Sequence, residues 1–277
     1  MKVGKIIFLS FLLSTTSLPA QVVGDMEDES KLYAETKQIN QFFRRFNGEE
    51  DEKGERYYPT DKPYRATRLR KKYLEILFDR SNAGIGNDLK AAFARDVLEK
   101  DAPIFLDFHG PGWFAEVQTL FSMKGKDQRV TLFMKLEKHH LGTRWVIFKA
   151  HDDMLAHYYK RDTMAIGKFL HPMSHELDFM NLRKAFIDKD SVAQFVSKKF
   201  EPDHLSVFLY EVERGDLTFK SVGEVKFHFF QVPGWYFELA EFNRPGYNTG
   251  WLISNLVKLN DKSDENLLRK YVLREVN

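Results

Sequence analysis

The chain has 277 residues, no cysteine, 42 basic and 40 acidic side chains, and 25 phenylalanines. Without cysteine there is no disulfide framework, no thiol catalysis and no lipid-modified cysteine, and so small a net charge argues against a nucleic-acid partner, which calls for a basic excess. The aromatic content supplies apolar bulk for two cores of ordinary domain size.

Residues 1–20 read as a secretory signal peptide: Lys2 and Lys5 form the charged start, Ile6 to Leu13 the apolar run, and Ser17-Leu-Pro-Ala20 the small-residue end. The apolar run is shorter than the roughly 20 residues that cross a bilayer, and no later segment is apolar enough to span a membrane. Removing Lys2 and Lys5 leaves 40 basic and 40 acidic residues, hence no net charge. The implied address is a bacterial periplasm or the medium. Residues 21–30, with Asp25, Glu27, Asp28 and Glu29, read as a solvated arm.

From Ser30, a candidate N-cap, Leu32, Ile39 and Phe46 fall on one helical face, and Gly48 is a natural stop. Gly48 to Gly54 is a charged loop, and Pro59 and Pro63 keep the chain extended up to Tyr64. A second helix is expected over about 66–80, with Leu69, Tyr73, Ile76 and Leu77 inward. Arg68, Arg70, Lys71 and Lys72 lie around the rest, either as a solvated face or as a surface for an anionic partner. A third helix covers roughly 88–98. Strands then follow at 104–109, 113–121, 130–137 and 144–149, the third alternating with a period of two. After a connector at 151–170, the pattern returns. Helices are expected near 174, at 191–200 and at 203–213, and strands at 217–221, 224–231, 234–242 and 250–259. The tail 265–275 suits a strand by register, although Leu268, Tyr271 and Leu273 also allow a helix.

One stretch occurs twice. Phe105-Leu-Asp-Phe-His-Gly-Pro-Gly-Trp-Phe-Ala-Glu-Val117 returns as Phe227-His-Phe-Phe-Gln-Val-Pro-Gly-Trp-Tyr-Phe-Glu-Leu239, with Phe, Pro, Gly, Trp and Glu in common. Read as a central hairpin, it divides the chain into two tandem α+β units, 31–150 and 171–277, each with N-terminal helices packed on a curved antiparallel sheet. Helices followed by a long curled sheet, with an aromatic-rich strand after Pro-Gly-Trp, resemble the nuclear transport factor 2-like superfamily over about 31–150 and 171–275. That resemblance implies a sheet wrapped around helices with a pocket at its wide end. The superfamily includes ketosteroid isomerase-like and limonene epoxide hydrolase-like enzymes beside binding and scaffold domains. No catalytic residue transfers to this chain, and shared architecture alone implies no activity.

The candidate site residues follow from strand parity. Trp113 and Trp235 share a face with Ala115, Val117, Phe237 and Leu239, whereas Glu116 and Glu238 point the other way, beside Phe114 and Tyr236. If that second face is covered, each carboxylate sits among aromatics, where burial raises its pKa and makes it a candidate acid or base. If it is open, both face water or cross-strand lysines. Asn243-Arg-Pro-Gly-Tyr-Asn-Thr-Gly-Trp251 joins two strands, and its Arg244, Tyr247 and Trp251 suit sugar or peptide recognition, unless Trp251 belongs to the core.

Other motifs fail. His175-Glu-Leu-Asp-Phe179 has Phe where a zinc helix needs its second His, and Pro172 pulls His171 out of helical geometry. His151-Asp-Asp-Met-Leu-Ala-His157 reads as a polar connector or a ligand cluster. Gly84-Ile-Gly86 lacks the rest of a phosphate loop, and no nucleophile elbow, Walker loop or calcium loop is present. No metal or cofactor is implied. The sequence therefore favours an exported protein that binds a small molecule, glycan or envelope protein without chemistry. A pocket enzyme using Glu116 or Glu238, of the isomerase, dehydratase or hydrolase kind, is the alternative, and a structural assembly protein of the envelope the third reading.

Overall fold

The computed structural model describes residues 38–140, 142–152, 183–187, 195–197, 203–245 and 248–275. Helices α1 (Ile39–Asn47), α2 (Thr67–Ile76) and α3 (Asn87–Val97) precede strands β1 (Trp113–Met123), β2 (Lys126–His139) and β3 (Gly142–His151). Then come the short α4 (Lys184–Ile187), α5 (His204–Glu213), β4 (Leu217–Phe229), β5 (Trp235–Phe242), β6 (Gly250–Lys258) and α6 (Lys262–Val272). The fold class is α+β, as expected. The described strands form one antiparallel sheet in the order β3-β2-β1-β4-β5-β6, not two separate sheets. The division into two tandem units is therefore not what the strands show: β1 from the first interval pairs along its length with β4 from the second.

The reason lies in the first copy of the repeat. Phe227 to Leu239 does form a hairpin, with Phe227 opposite Leu239 and Phe229 opposite Phe237. Its partner stretch does not, which corrects the expected strand 104–109. There the backbone is satisfied by side chains instead. Asn47 donates from Nδ2 to the Leu106 carbonyl (2.9 Å) and accepts from its N–H (2.8 Å), and Gln231 does the same for Asp107. The edge of β1 that a local hairpin would use is occupied by β4. What the copies share is the strand opening. Gly112 and Gly234 both have positive φ (91° and 74°), a conformation open to glycine without steric cost. The carbonyl of each accepts from the end of the neighbouring segment, Phe230 N–H at 2.7 Å and Leu259 N–H at 2.8 Å.

The main core lies between α1–α3 and one face of this sheet, so helices of the first interval pack on strands of the second. Phe42 and Phe46 of α1 meet Phe237, and Phe93 of α3 meets Trp235 edge-on at 5.3 Å. Trp113 stacks on Phe229 at 5.4 Å. Phe43, Trp113, Phe229, Phe237 and Trp251 all belong to this one buried cluster, so the concave side that could have held a pocket is filled by rings. Trp251 packs on Phe227 at 4.8 Å.

Further differences have local causes. Helix α2 stops at Ile76, not near 80, because residues 77–79 run beside β6: Ile253 N–H donates to Leu77 O and Asp79 N–H to Ile253 O. Strand β4 is continuous, with register shifts opposite Val117–Thr119 and Leu120–Phe121 where two strands were expected. The tail is helix α6, capped by Asp261, whose carboxylate accepts from the N–H of Ser263 and Asp264; this corrects the strand reading. α6 roofs the other face of the sheet, where Leu268, Val272 and Leu273 pack on Phe114, Phe133, Phe230 and Tyr236. For that reason Phe133, on the opposite face of β2 from Leu132, is fully buried. Finally, Arg70 is not part of a solvated face. It is 1% exposed and donates to the carbonyls of Phe46, Val97 and Ile104, tying α1, α2 and the end of α3 together. Burial, aided by the charge of Arg65, pushes its pKa down to about 10, which leaves it charged at neutral pH. Glu50, in the charged loop after α1, is also buried, paired with Arg45 at 2.7 Å and Arg44 at 2.9 Å.

Candidate functional site

The residues singled out from the sequence fall into three places. Trp113, Trp235 and Trp251 are core side chains. Their indole N–H groups are used internally where a partner is recorded: Trp113 donates to Phe108 O (3.1 Å) and Trp235 to Asp96 Oδ2 (3.0 Å). Arg244 is a brace. It donates to Asp79 Oδ1 at 2.6 Å and to Asn248 O at 2.9 Å, while Asn248 bonds the carbonyls of Ile76 and Phe78. The loop thus holds the end of α2 and does not present its arginine outward. Tyr247 lies outside the described residues.

Glu116 and Glu238 lie on the face roofed by α6. Glu116 is 9% exposed. Its Oε2 receives His228 Nε2 at 3.0 Å, its Oε1 receives Arg274 Nη2 at 2.9 Å, and His228 Nδ1 meets the Tyr236 hydroxyl at 2.8 Å. Tyr236, His228 and Glu116 thus form one hydrogen-bonded chain through the two ring nitrogens of the imidazole. Burial pushes the Glu116 carboxyl up, but the hydrogen bond and charge of His228 and then Arg274 outweigh it and hold the group below the usual carboxylate range. Burial, with the charges of Glu238 and Glu116, pushes the Tyr236 phenol well up. Glu238 is half-buried, 3.4 Å from Lys226 Nζ, and accepts from the Ser254 hydroxyl at 3.2 Å. Glu116 therefore lies buried beside Tyr236 and His228, yet it does not carry the raised pKa that burial alone would produce. The 180 Å³ cavity beside this network is lined by Arg274, Phe148 and the Asp203–Leu205 segment, and Glu116 is not part of its wall.

A concave feature of ligand size lies elsewhere, between α2 and α3. Lys71, Leu74, Glu75 and Phe78 follow at helical spacing on one wall, and Asn87, Ala91, Ala94 and Leu98 on the other. The groove holds about 730 Å³, within the roughly 300–1,000 Å³ typical of small-molecule sites. Leu74 and Phe78 are almost fully buried and form its floor. Ala91 and Ala94 leave the space because they present only methyl groups where a leucine would close it. Lys71, Arg80, Lys90, Arg95 and Lys100 stand around it against two acids, Glu75 and Glu99. Lys90 lays its ammonium 5.6 Å from the Phe78 ring centroid. Among the described residues Lys71, Arg80 and Lys100 form no ion pair, whereas Arg95 approaches Asp96 at 3.7 Å.

A second cleft of about 590 Å³, by Phe43, Asn47 and Asp107, is polar, and two of its arginines are already matched, Arg44 with Glu50 and Arg65 with Glu49. Among the described residues no three His, Asp or Glu side chains gather where a metal ion could be held, and no helix is long and apolar enough to cross a membrane. His151 and Asp152 are described, but the rest of the 151–157 cluster and both His171 and His175 lie outside the described residues.

Of the groove, the sequence showed only the basic run on α2, read as a solvated face or an anionic contact. Ala91 and Ala94 were legible as one helical stripe, but not as a wall facing Leu74. Comparison of the chain with protein-family models, with characterised proteins and with solved structures yields no match.

Proposed function

We propose that this is an exported binding protein without chemistry of its own, and that the groove between α2 and α3 receives its ligand. The observation that carries the reading is the groove itself: a concave, apolar-floored space of about 730 Å³ in a molecule whose sheet-side interior is packed solid with rings. The carboxylates that an enzyme would use favour the same reading. Glu116 is saturated by His228 and Arg274, and Glu238 is engaged by Lys226 and Ser254, so neither stands ready to accept or deliver a proton. The leader-like residues 1–20 support export, and the order of helices and sheet supports kinship with nuclear transport factor 2-like domains. In such kinship the usual interior pocket would have been given over to core.

The test uses N-phenyl-1-naphthylamine, a neutral apolar fluorophore, on the protein lacking residues 1–20. Its emission is expected to rise saturably with the wild type and with Glu116→Gln, and to stay flat with Ala91→Leu/Ala94→Leu, whose fold is checked by circular dichroism. Equal binding by the groove-filled variant, or no saturable binding at all, removes the proposal.

A further inference from the structure

Resting on the groove reading, we infer the ligand's class: a long-chain carboxylate, that is, a single acyl chain with an anionic head. Three features of the walls lead there. Both walls are α-helical, so along the middle of the groove the backbone N–H and C=O groups are spent within the helices. A peptide lying there would lose water from its amides and gain no partner, and buried unpaired polar groups are costly. A glycan meets the same difficulty, since Glu75, Asn87 and Glu99 are the non-cationic polar side chains among the lining residues. An acyl chain has no such groups to satisfy, and Leu74, Phe78, Ala91, Ala94 and Leu98 give it a continuous apolar strip.

The charge of the rim selects the head group. Five cations against two acids surround the strip, so a cationic amphiphile is repelled and an anionic one attracted. The cations are placed at both ends. Arg80 and Lys90 lie near the α2–α3 connection. Lys71, Arg95 and Lys100 belong to the far end, where Arg70, next to Lys71 in the chain, reaches the carbonyls of Val97 and Ile104. Lys71 and Lys100 are exposed and unpaired among the described residues, so a carboxylate reaching either displaces no existing partner. The long stems of these lysines also extend the apolar contact while keeping their ammonium groups in water.

The experiment measures displacement of N-phenyl-1-naphthylamine by dodecanoate, dodecanol and dodecyltrimethylammonium, each below its micelle concentration, at low and high salt. Dodecanoate is expected to bind at least about tenfold more tightly than dodecanol at low salt, with the cation weakest. The advantage of the anion should shrink in high salt and be lost in Lys71→Glu/Lys100→Glu, in which the ratio of dodecanoate to dodecanol affinity falls to about one or below. Equal affinity for dodecanoate and dodecanol overturns this inference and leaves the groove reading standing. No saturable binding of the fluorophore or of any of the three removes the groove reading itself. Capture on phosphatidylglycerol vesicles with no uptake of free dodecanoate also overturns the inference, in favour of a membrane surface.

Discussion

Glu116 has two partners, His228 at 3.0 Å and Arg274 at 2.9 Å, and replacing its carboxylate by an amide leaves one of them facing an N–H donor in place of an acceptor. Because Arg274 is partly exposed, Glu116→Gln is expected to cost about 1–3 kcal/mol at neutral pH and not the full penalty of a deeply buried pair. The pH dependence has a definite sign. The folded-state pKa is depressed relative to a free carboxylate of about 4.3. The stabilisation is thus complete above that value and is lost as pH falls through the folded one. The difference in melting temperature between wild type and Glu116→Gln should be widest near neutral pH and close at acid pH, and a constant gap across the whole range would refute the assignment. At Gly234, φ is 74° and an added Cβ would meet nothing closer than Leu259 O at 3.8 Å. Gly234→Ala should therefore lose about 1–2 kcal/mol through backbone strain alone, measured by urea denaturation. At this scale much was readable. Alternation placed Glu116 and Glu238 opposite the tryptophans, and the Gly of Pro-Gly-Trp is a residue that allows the positive φ found there. What alternation does not reveal is whether a face is covered. The roof over Glu116 comes from Arg274, 158 residues away in the chain.

Helix α6 decides the character of that face. Its Leu268, Val272 and Leu273 seal Phe114, Phe133 and Tyr236 from water. Arg269 stacks its guanidinium 3.9 Å from the Phe230 ring centroid. A chain ending at Asn260 should unfold at lower urea concentration, by about 2–4 kcal/mol for the apolar surface laid open. It should also bind an apolar dye that the full chain does not bind on this face; an unchanged midpoint would show that the sheet needs no roof there. The tail was read as a strand because repeat register was weighed above helical spacing. Asp261, followed by Ser263, Asp264 and Glu265, is an N-terminal capping pattern, and that local signal was the better guide. The stretch 104–109 failed differently. It carries strand-like residues, but a strand edge takes one partner, and β4 holds that of β1. The groove belongs to this scale too. Two helices of ordinary pattern enclose it only because Ala91 and Ala94 of one line the same space as Leu74 of the other and Phe78 just beyond its end.

Across the whole molecule, β1 and β4 lie at the centre of one sheet, and α1–α3 fasten onto β4–β6. Unfolding by urea should therefore be a single transition, coincident by near- and far-ultraviolet circular dichroism. Two separated transitions assignable to the intervals 31–150 and 171–277 would restore independent units. Amides of β1 and β4 should be the slowest to exchange with solvent, since both strands are interior to the sheet.

Sequence alone determined the α+β class, the helices α3 and α5, the stop of α1 at Gly48, the strand parity and the absence of disulfides, because each depends on residues close in the chain or on composition. Tertiary structure alone decided that both sets of strands join in one sheet, that Glu116 is paired with Arg274 beneath the C-terminal helix, and that an apolar space opens between α2 and α3. Those outcomes rest on which surfaces meet, and residues far apart in the chain leave no periodic trace of the partner they will face.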